Sequence, residues 1–102
     1  MGRAYFASTI DQFRVAETNA ILGALTAAAS QFSIDETQID AWIEEISILK
    51  DTLSTCSGAI YFEYAVPRMG RRIDVVLVIE HVVFVLEFKT GRPRPEHEAQ
   101  AA

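Results

Sequence analysis

Three charged side chains interrupt the most apolar part of the sequence, which reads RRIDVVLVIEHVVFVLEFKTG over residues 71–91. They are Asp74, Glu87 and Lys89, and each stands in or beside a run of Val, Leu, Ile or Phe. A buried charge is costly unless a partner compensates it. Either these side chains lie harmlessly at strand ends, or they meet around a metal ion and a substrate.

The alternation of apolar side chains in this segment predicts two strands joined by a turn at residues 80–81. In an antiparallel hairpin with that turn, Asp74 falls opposite Glu87 or Phe88, because their distances from the turn match. Glu87 and Lys89 are two residues apart, so they share a face of their strand. We therefore expect Asp74 and Glu87 side by side on one face of the sheet, with Lys89 just beyond them.

Two neighbouring carboxylates followed by a lysine suit metal-assisted attack on a phosphate. The carboxylates repel each other unless a cation lies between them, and Mg²⁺ prefers one or two carboxylates with water completing its octahedron. A lysine two residues from a ligand could orient the attacking water or stabilise charge developing on phosphorus. The competing interpretation is an ordinary cross-strand ion pair between Lys89 and Asp74 or Glu87 at a sheet edge.

The elements that would position these residues begin with helices. A short helical turn is predicted over residues 8–13 with Ser8 or Thr9 as its cap, and a helix over residues 18–30 with Thr18 as its cap. A longer helix is predicted over about residues 38–55, capped by Thr37, because apolar side chains recur there at helical spacing. These side chains are Ile39, Trp42, Ile43, Ile46, Leu49 and Leu53.

Two acidic residues of the longer helix should differ in their surroundings. On a helical wheel, Glu44 points away from the apolar stripe, whereas Glu45 lies on its flank beside Trp42 and Leu49. We therefore expect Glu44 to be solvated and Glu45 to reach the edge of the surface on which the helix packs.

The residues after Gly58 predict strands over residues 59–66, 72–79 and 82–89, so that the fold class is α+β with a three-stranded antiparallel meander. Strict alternation in the first strand places Ile60, Phe62 and Tyr64 on one face, and Tyr61 and Glu63 on the other.

Composition limits the function classes. The chain has 102 residues, 50% of them hydrophobic, and a net charge of -5, which argues against binding nucleic acid by charge alone. Residues 66–95 nevertheless hold six basic and three acidic side chains, a local basic cluster for which a solvated loop is by itself the favoured interpretation. We expect a cytoplasmic protein, because no signal peptide or membrane span is evident and Cys56 is the only cysteine.

The segments EYAVPRMGRRIDVVL and FVLEFKTG resemble the PD-(D/E)XK nuclease superfamily. More narrowly, they are similar to the nuclease-like N-terminal region of bacterial proteins in which that region precedes a superfamily 1 helicase-like ATPase. The resemblance covers residues 3–91 and rests on Pro-Arg, Arg-Ile-Asp and Glu-Phe-Lys in this order and spacing.

The resemblance implies a restriction-endonuclease-like fold and Mg²⁺- or Mn²⁺-dependent hydrolysis of DNA. It implies that two residues bind the metal, that a lysine assists the water and that a helix acid completes the site; these are Asp74 and Glu87, Lys89, and Glu45. Arg68 and Arg72 would contact phosphates, although surface charge explains them equally well. Glu63 is a weaker candidate, and a solvent-facing strand acid is the favoured interpretation of it.

The same resemblance implies three regions: an N-terminal helical segment over 1–36, a partial nuclease-like core over 37–91, and a loop with the start of a truncated helix over 92–102. The family's second core helix and fourth strand are missing, and no G-x-x-x-x-G-K-[ST] motif is present, so we expect a fragment of a larger protein. The partners expected are DNA and either a second copy or a missing C-terminal ATPase portion. The alternative is a catalytically inactive nucleic-acid-binding or protein-interaction module that keeps the fold.

Overall fold

Three α-helices and four β-strands make up the part of the chain that the computed structural model describes, residues 3–30 and 34–88. The predicted α+β class is confirmed. In chain order the elements are β1 (Phe6–Thr9), α1 (Ile10–Val15), α2 (Thr18–Ala28), α3 (Glu36–Thr52), β2 (Ala59–Val66), β3 (Arg71–Ile79) and β4 (Val82–Leu86), with a 3-10 turn over Pro67–Met69 between β2 and β3.

The sheet has four antiparallel strands in the order β1-β2-β3-β4, so the predicted three-stranded meander is wrong. The additional strand is β1, in which Phe6 pairs with Phe62 and Thr9 pairs with Ala59. This pairing joins segments that are distant in sequence. A four-residue strand carries too little alternation to be recognised without its partner.

The helices begin at caps that differ partly from those predicted. Thr9, one of the two caps expected, caps α1, and its hydroxyl accepts a hydrogen bond from the backbone N–H of Gln12 at 3.0 Å. Asp35, rather than Thr37, caps α3, because its carboxylate accepts from the backbone N–H of Gln38 at 3.1 Å. Either side chain can cap a helix, so the local sequence does not decide whether α3 begins after Asp35 or after Thr37.

The turn at Glu80-His81 is confirmed. Ile79 pairs with Val82, which leaves Glu80 and His81 as a two-residue hairpin loop. Both residues have positive φ, 50° and 72°. A two-residue loop needs such a backbone to match the twist of the strands, although Asn and Gly adopt it at lower cost.

All three helices pack on one face of the sheet. The buried core joins helix side chains such as Phe13, Leu25 and Trp42 to Phe62 and Val75 of the sheet. Lys50 of α3 holds α1 in place, because its ammonium donates to the carbonyls of Phe13, Arg14 and Ala16 at the end of that helix.

The opposite face of the sheet carries apolar side chains with no helix against them in the described residues. Tyr61, Tyr64, Ile73, Val76, Val78, Val83 and Val85 line a shallow depression there. Among the described residues, no helix is both long and apolar enough to cross a membrane.

Candidate acidic site

The alternation of side chains breaks at the rung where Glu63 of β2 stands beside Asp74 of β3. Pairing is regular at Phe62 with Val75 and at Tyr64 with Ile73, but Glu63 between them has a left-handed φ of 56°. Residues three apart lie on opposite faces of a regular strand. The ring centres of Tyr61 and Tyr64 are nevertheless 5.8 Å apart, on the face of the sheet that carries no helices. The break therefore puts Glu63 on the same side as Phe62, facing α3.

Asp74 turns to the same side. Ile73 and Val76 line the open-face depression, whereas Asp74 lines a cavity beneath α3. One oxygen of its carboxylate accepts a hydrogen bond from the backbone N–H of Phe88 at 2.8 Å. Two acidic side chains of neighbouring strands are thus brought beneath the same helix.

Glu63 is held by contacts on both its side chain and its backbone. Its Oε2 accepts a hydrogen bond from the indole N–H of Trp42 at 3.1 Å. Its carbonyl accepts from the guanidinium of Arg72 at 2.6 Å, and that guanidinium lies 4.1 Å from the centre of the Tyr5 ring. Burial raises the pKa of Glu63 above its ordinary value, and the Trp42 hydrogen bond offsets part of that rise.

Glu45 of α3 lies across the cavity from Glu63 and Asp74. Its side chain is only 3% exposed, and its Oε1 has no hydrogen-bond partner. Burial, and then the nearby charges of Asp74 and Glu63, raise the pKa of Glu45 to about 8. Glu44 beside it is exposed, so the different surroundings predicted for these two helix acids are confirmed.

The three acids share an open cavity of about 380 Å³ between α3 and the end of the sheet. The rest of its wall comes from the first turns of α3, from the residue that caps it, and from the segment after β4: Asp35, Thr37, Gln38, Ala41 and Phe88. A second cavity, lined by Tyr5, Ile34 and Trp42 among others, adjoins it, and Glu63 belongs to both. Glu63 therefore stands where the two cavities meet.

Glu87 does not line this cavity. Its carboxylate is exposed and forms an ion pair with the guanidinium of Arg71. The hairpin register runs as predicted, with Val75 opposite Leu86. The side chain of Asp74, however, points towards α3 and away from the face that carries Val83 and Val85. Lys89 lies outside the described residues.

The two arginines predicted to contact phosphates differ. Arg68 is exposed in the 3-10 turn that follows β2. Arg72 is half-buried, and its guanidinium donates to the carbonyls of Arg3 and Glu63 while it stacks on Tyr5. Those contacts fasten the segment before β1 to β2 and β3.

The arrangement can attract a divalent cation without enclosing it. In residues 3–30 and 34–88, no group of three or more His, Cys, Asp or Glu side chains is arranged so that it could hold a metal ion. Mg²⁺, however, commonly takes one or two carboxylates and keeps several waters. Four acids line the cavity, Asp35 among them, and one buried oxygen of Glu45 lacks a partner; these features fit a hydrated cation of that kind. Comparison of the chain with family models, with curated proteins and with solved structures finds no match.

Proposed function

We propose that this chain is a restriction-endonuclease-like domain that hydrolyses DNA phosphodiester bonds with Mg²⁺ or Mn²⁺. The observation that carries the proposal is the buried Oε1 of Glu45, which has no partner and faces Glu63 and Asp74 across one cavity. Its ionised form is costly there, which is why burial raises the pKa of Glu45 to about 8, and a cation or a water bound to one would compensate that ionised form. The PD-(D/E)XK resemblance of the residues around Asp74 supplies the reaction class.

The roles proposed for Asp74 and Glu45 follow from their positions around the cavity. Asp74 would bind the metal, because the backbone N–H of Phe88 fixes one of its oxygens and leaves the other free. Glu45 accepts a hydrogen bond from the attacking water in the cavity. A metal bound there supplies polarisation of the phosphate and a lower pKa of a bound water. The sequence pattern assigns Lys89 to orient that water.

Conversion of supercoiled plasmid to nicked circles, with and without Mg²⁺ or Mn²⁺, tests the proposal. We expect metal-dependent nicking that falls by at least about 100-fold in Asp74→Asn, because the variant removes a negative ligand. Asp40→Asn is the matched control, since Asp40 is an exposed acid of α3. Absence of metal-dependent cleavage, or equal cleavage by both variants, would contradict the nuclease function.

A second candidate function is an inactive nucleic-acid-binding or interaction module with the same fold. The ion pair of Glu87 with Arg71 favours it, because the carboxylate that the E-x-K pattern assigns to the metal is engaged elsewhere. This candidate predicts retention of DNA in a gel-shift assay with no cleavage in either metal. Arg68→Ala should weaken that retention and reduce its dependence on salt concentration.

A further inference from the structure

We infer that Glu63, and not Glu87, is the carboxylate that binds a divalent cation together with Asp74, and that Trp42 is the residue that positions it. The inference rests on the metal dependence proposed for this chain and replaces one of the two ligands that the sequence pattern assigns. Three independent features of the structure support it.

The first feature is the backbone of Glu63. A φ of 56° in the middle of a strand is unusual for a residue other than Gly, Asn or Asp, and it costs roughly 1–2 kcal/mol. An extended conformation would place this carboxylate on the open face, with Tyr61 as its neighbour on that face. The left-handed conformation instead directs it beneath α3, beside Asp74. Backbone strain of this kind gathers at functional sites.

The second feature is how the side chain of Glu63 is held. Trp42 is 2% exposed, and its indole N–H donates to Oε2 of Glu63 at 3.1 Å. This single bond occupies one carboxylate oxygen and leaves Oε1 available to the cavity that Glu63 lines. A buried donor on one oxygen of a ligating carboxylate is the usual way in which proteins orient metal ligands.

The third feature is the contrast between Glu63 and Glu87. Glu87 is exposed, pairs with Arg71 and does not line the cavity. Binding a cation in the cavity through Glu87 would require this ion pair with Arg71 to break. Glu63 needs no such change, because it already lines the cavity with Asp74 and with the unpartnered Oε1 of Glu45.

Binding of Mn²⁺ to the full chain without nucleic acid tests the inference, with the electron paramagnetic resonance signal of free Mn²⁺ as the readout. We expect Glu63→Gln and Asp74→Asn to weaken binding by about tenfold or more, and Trp42→Phe by about tenfold through loss of the orienting bond. Glu87→Gln is the matched control and should bind within about twofold of the wild type, because an exposed pair contributes little. The Glu63→Gln variant keeps an acceptor for Trp42, and thermal melts without metal check that each variant is folded.

Weak binding in Glu87→Gln with normal binding in Glu63→Gln would overturn the inference and leave the nuclease function standing. Normal binding in Trp42→Phe would remove its positioning role. Mn²⁺ binding that depends on Glu63, combined with no plasmid cleavage, would support the inference and contradict the nuclease function. Absence of Mn²⁺ binding in the wild type would overturn both.

Discussion

In the wild type, the free energy of unfolding should fall steeply as the pH rises, because Glu45 is buried. Replacing Glu45 by glutamine should remove most of that fall. The pKa of this carboxyl is about 8 in the folded chain, against an ordinary value of 4.5. Between those two values the folded state holds a proton that the unfolded state has released. The free energy of unfolding therefore falls as the pH rises through this window, by up to about 1.4 kcal/mol per pH unit.

The magnitude follows from the width of the window. The full loss is about 5 kcal/mol above the folded pKa, and about 3 kcal/mol of it is already present near pH 7. Below the ordinary pKa of a glutamate both states are protonated, and the contribution vanishes. Burial also raises the pKa of Glu63, so a smaller loss of the same sign remains in the Glu45→Gln variant.

Urea denaturation followed by far-ultraviolet circular dichroism, at several pH values and with EDTA present, measures the effect. We expect Glu45→Gln to match the wild type within about 1 kcal/mol near pH 5 and to exceed it by several kcal/mol near pH 8. Asp40→Asn removes a negative charge from an exposed position of the same helix and should leave the pH dependence unchanged. An equal pH dependence in the wild type and in Glu45→Gln would refute the reasoning.

Two backbone positions give further predictions. Gly58 has a φ of 146°, and a Cβ added there would lie 2.1 Å from the carbonyl oxygen of Val78; Gly58→Ala should therefore lower the free energy of unfolding by at least about 2 kcal/mol in urea denaturation. A Gly58→Ala variant as stable as the wild type would show that the start of β2 can move away from β3 without cost. At the hairpin loop, replacing Glu80-His81 by Asn-Gly should raise the free energy of unfolding by about 1 kcal/mol, because both positions are left-handed. A lower melting temperature in that variant would contradict the assigned turn.

The sequence alone determined the features that depend on local periodicity. Strand β2 runs over Ala59–Val66 as predicted, and the turn falls at Glu80-His81, because alternation and its interruption are visible in a few neighbouring residues. The apolar stripe of α3 likewise predicted that Glu45 would reach the edge of the packing surface and that Glu44 would be solvated; the structure buries Glu45 and exposes Glu44. These patterns also placed Asp74 near the residues that follow β4.

Only the tertiary structure decided which acids share the cavity. Alternation assumes an extended backbone at every position, and a glutamate gives no local sign that it will adopt the left-handed conformation found at residue 63. That one dihedral angle moves Glu63 from the open face to a place beside Asp74, whereas Glu87 pairs with Arg71. Strand β1 could not be predicted for a related reason, since it forms only by pairing with β2, which is distant in sequence. Local patterns therefore predicted the elements, whereas the non-local contacts of Trp42 and Arg72 determined the composition of the site.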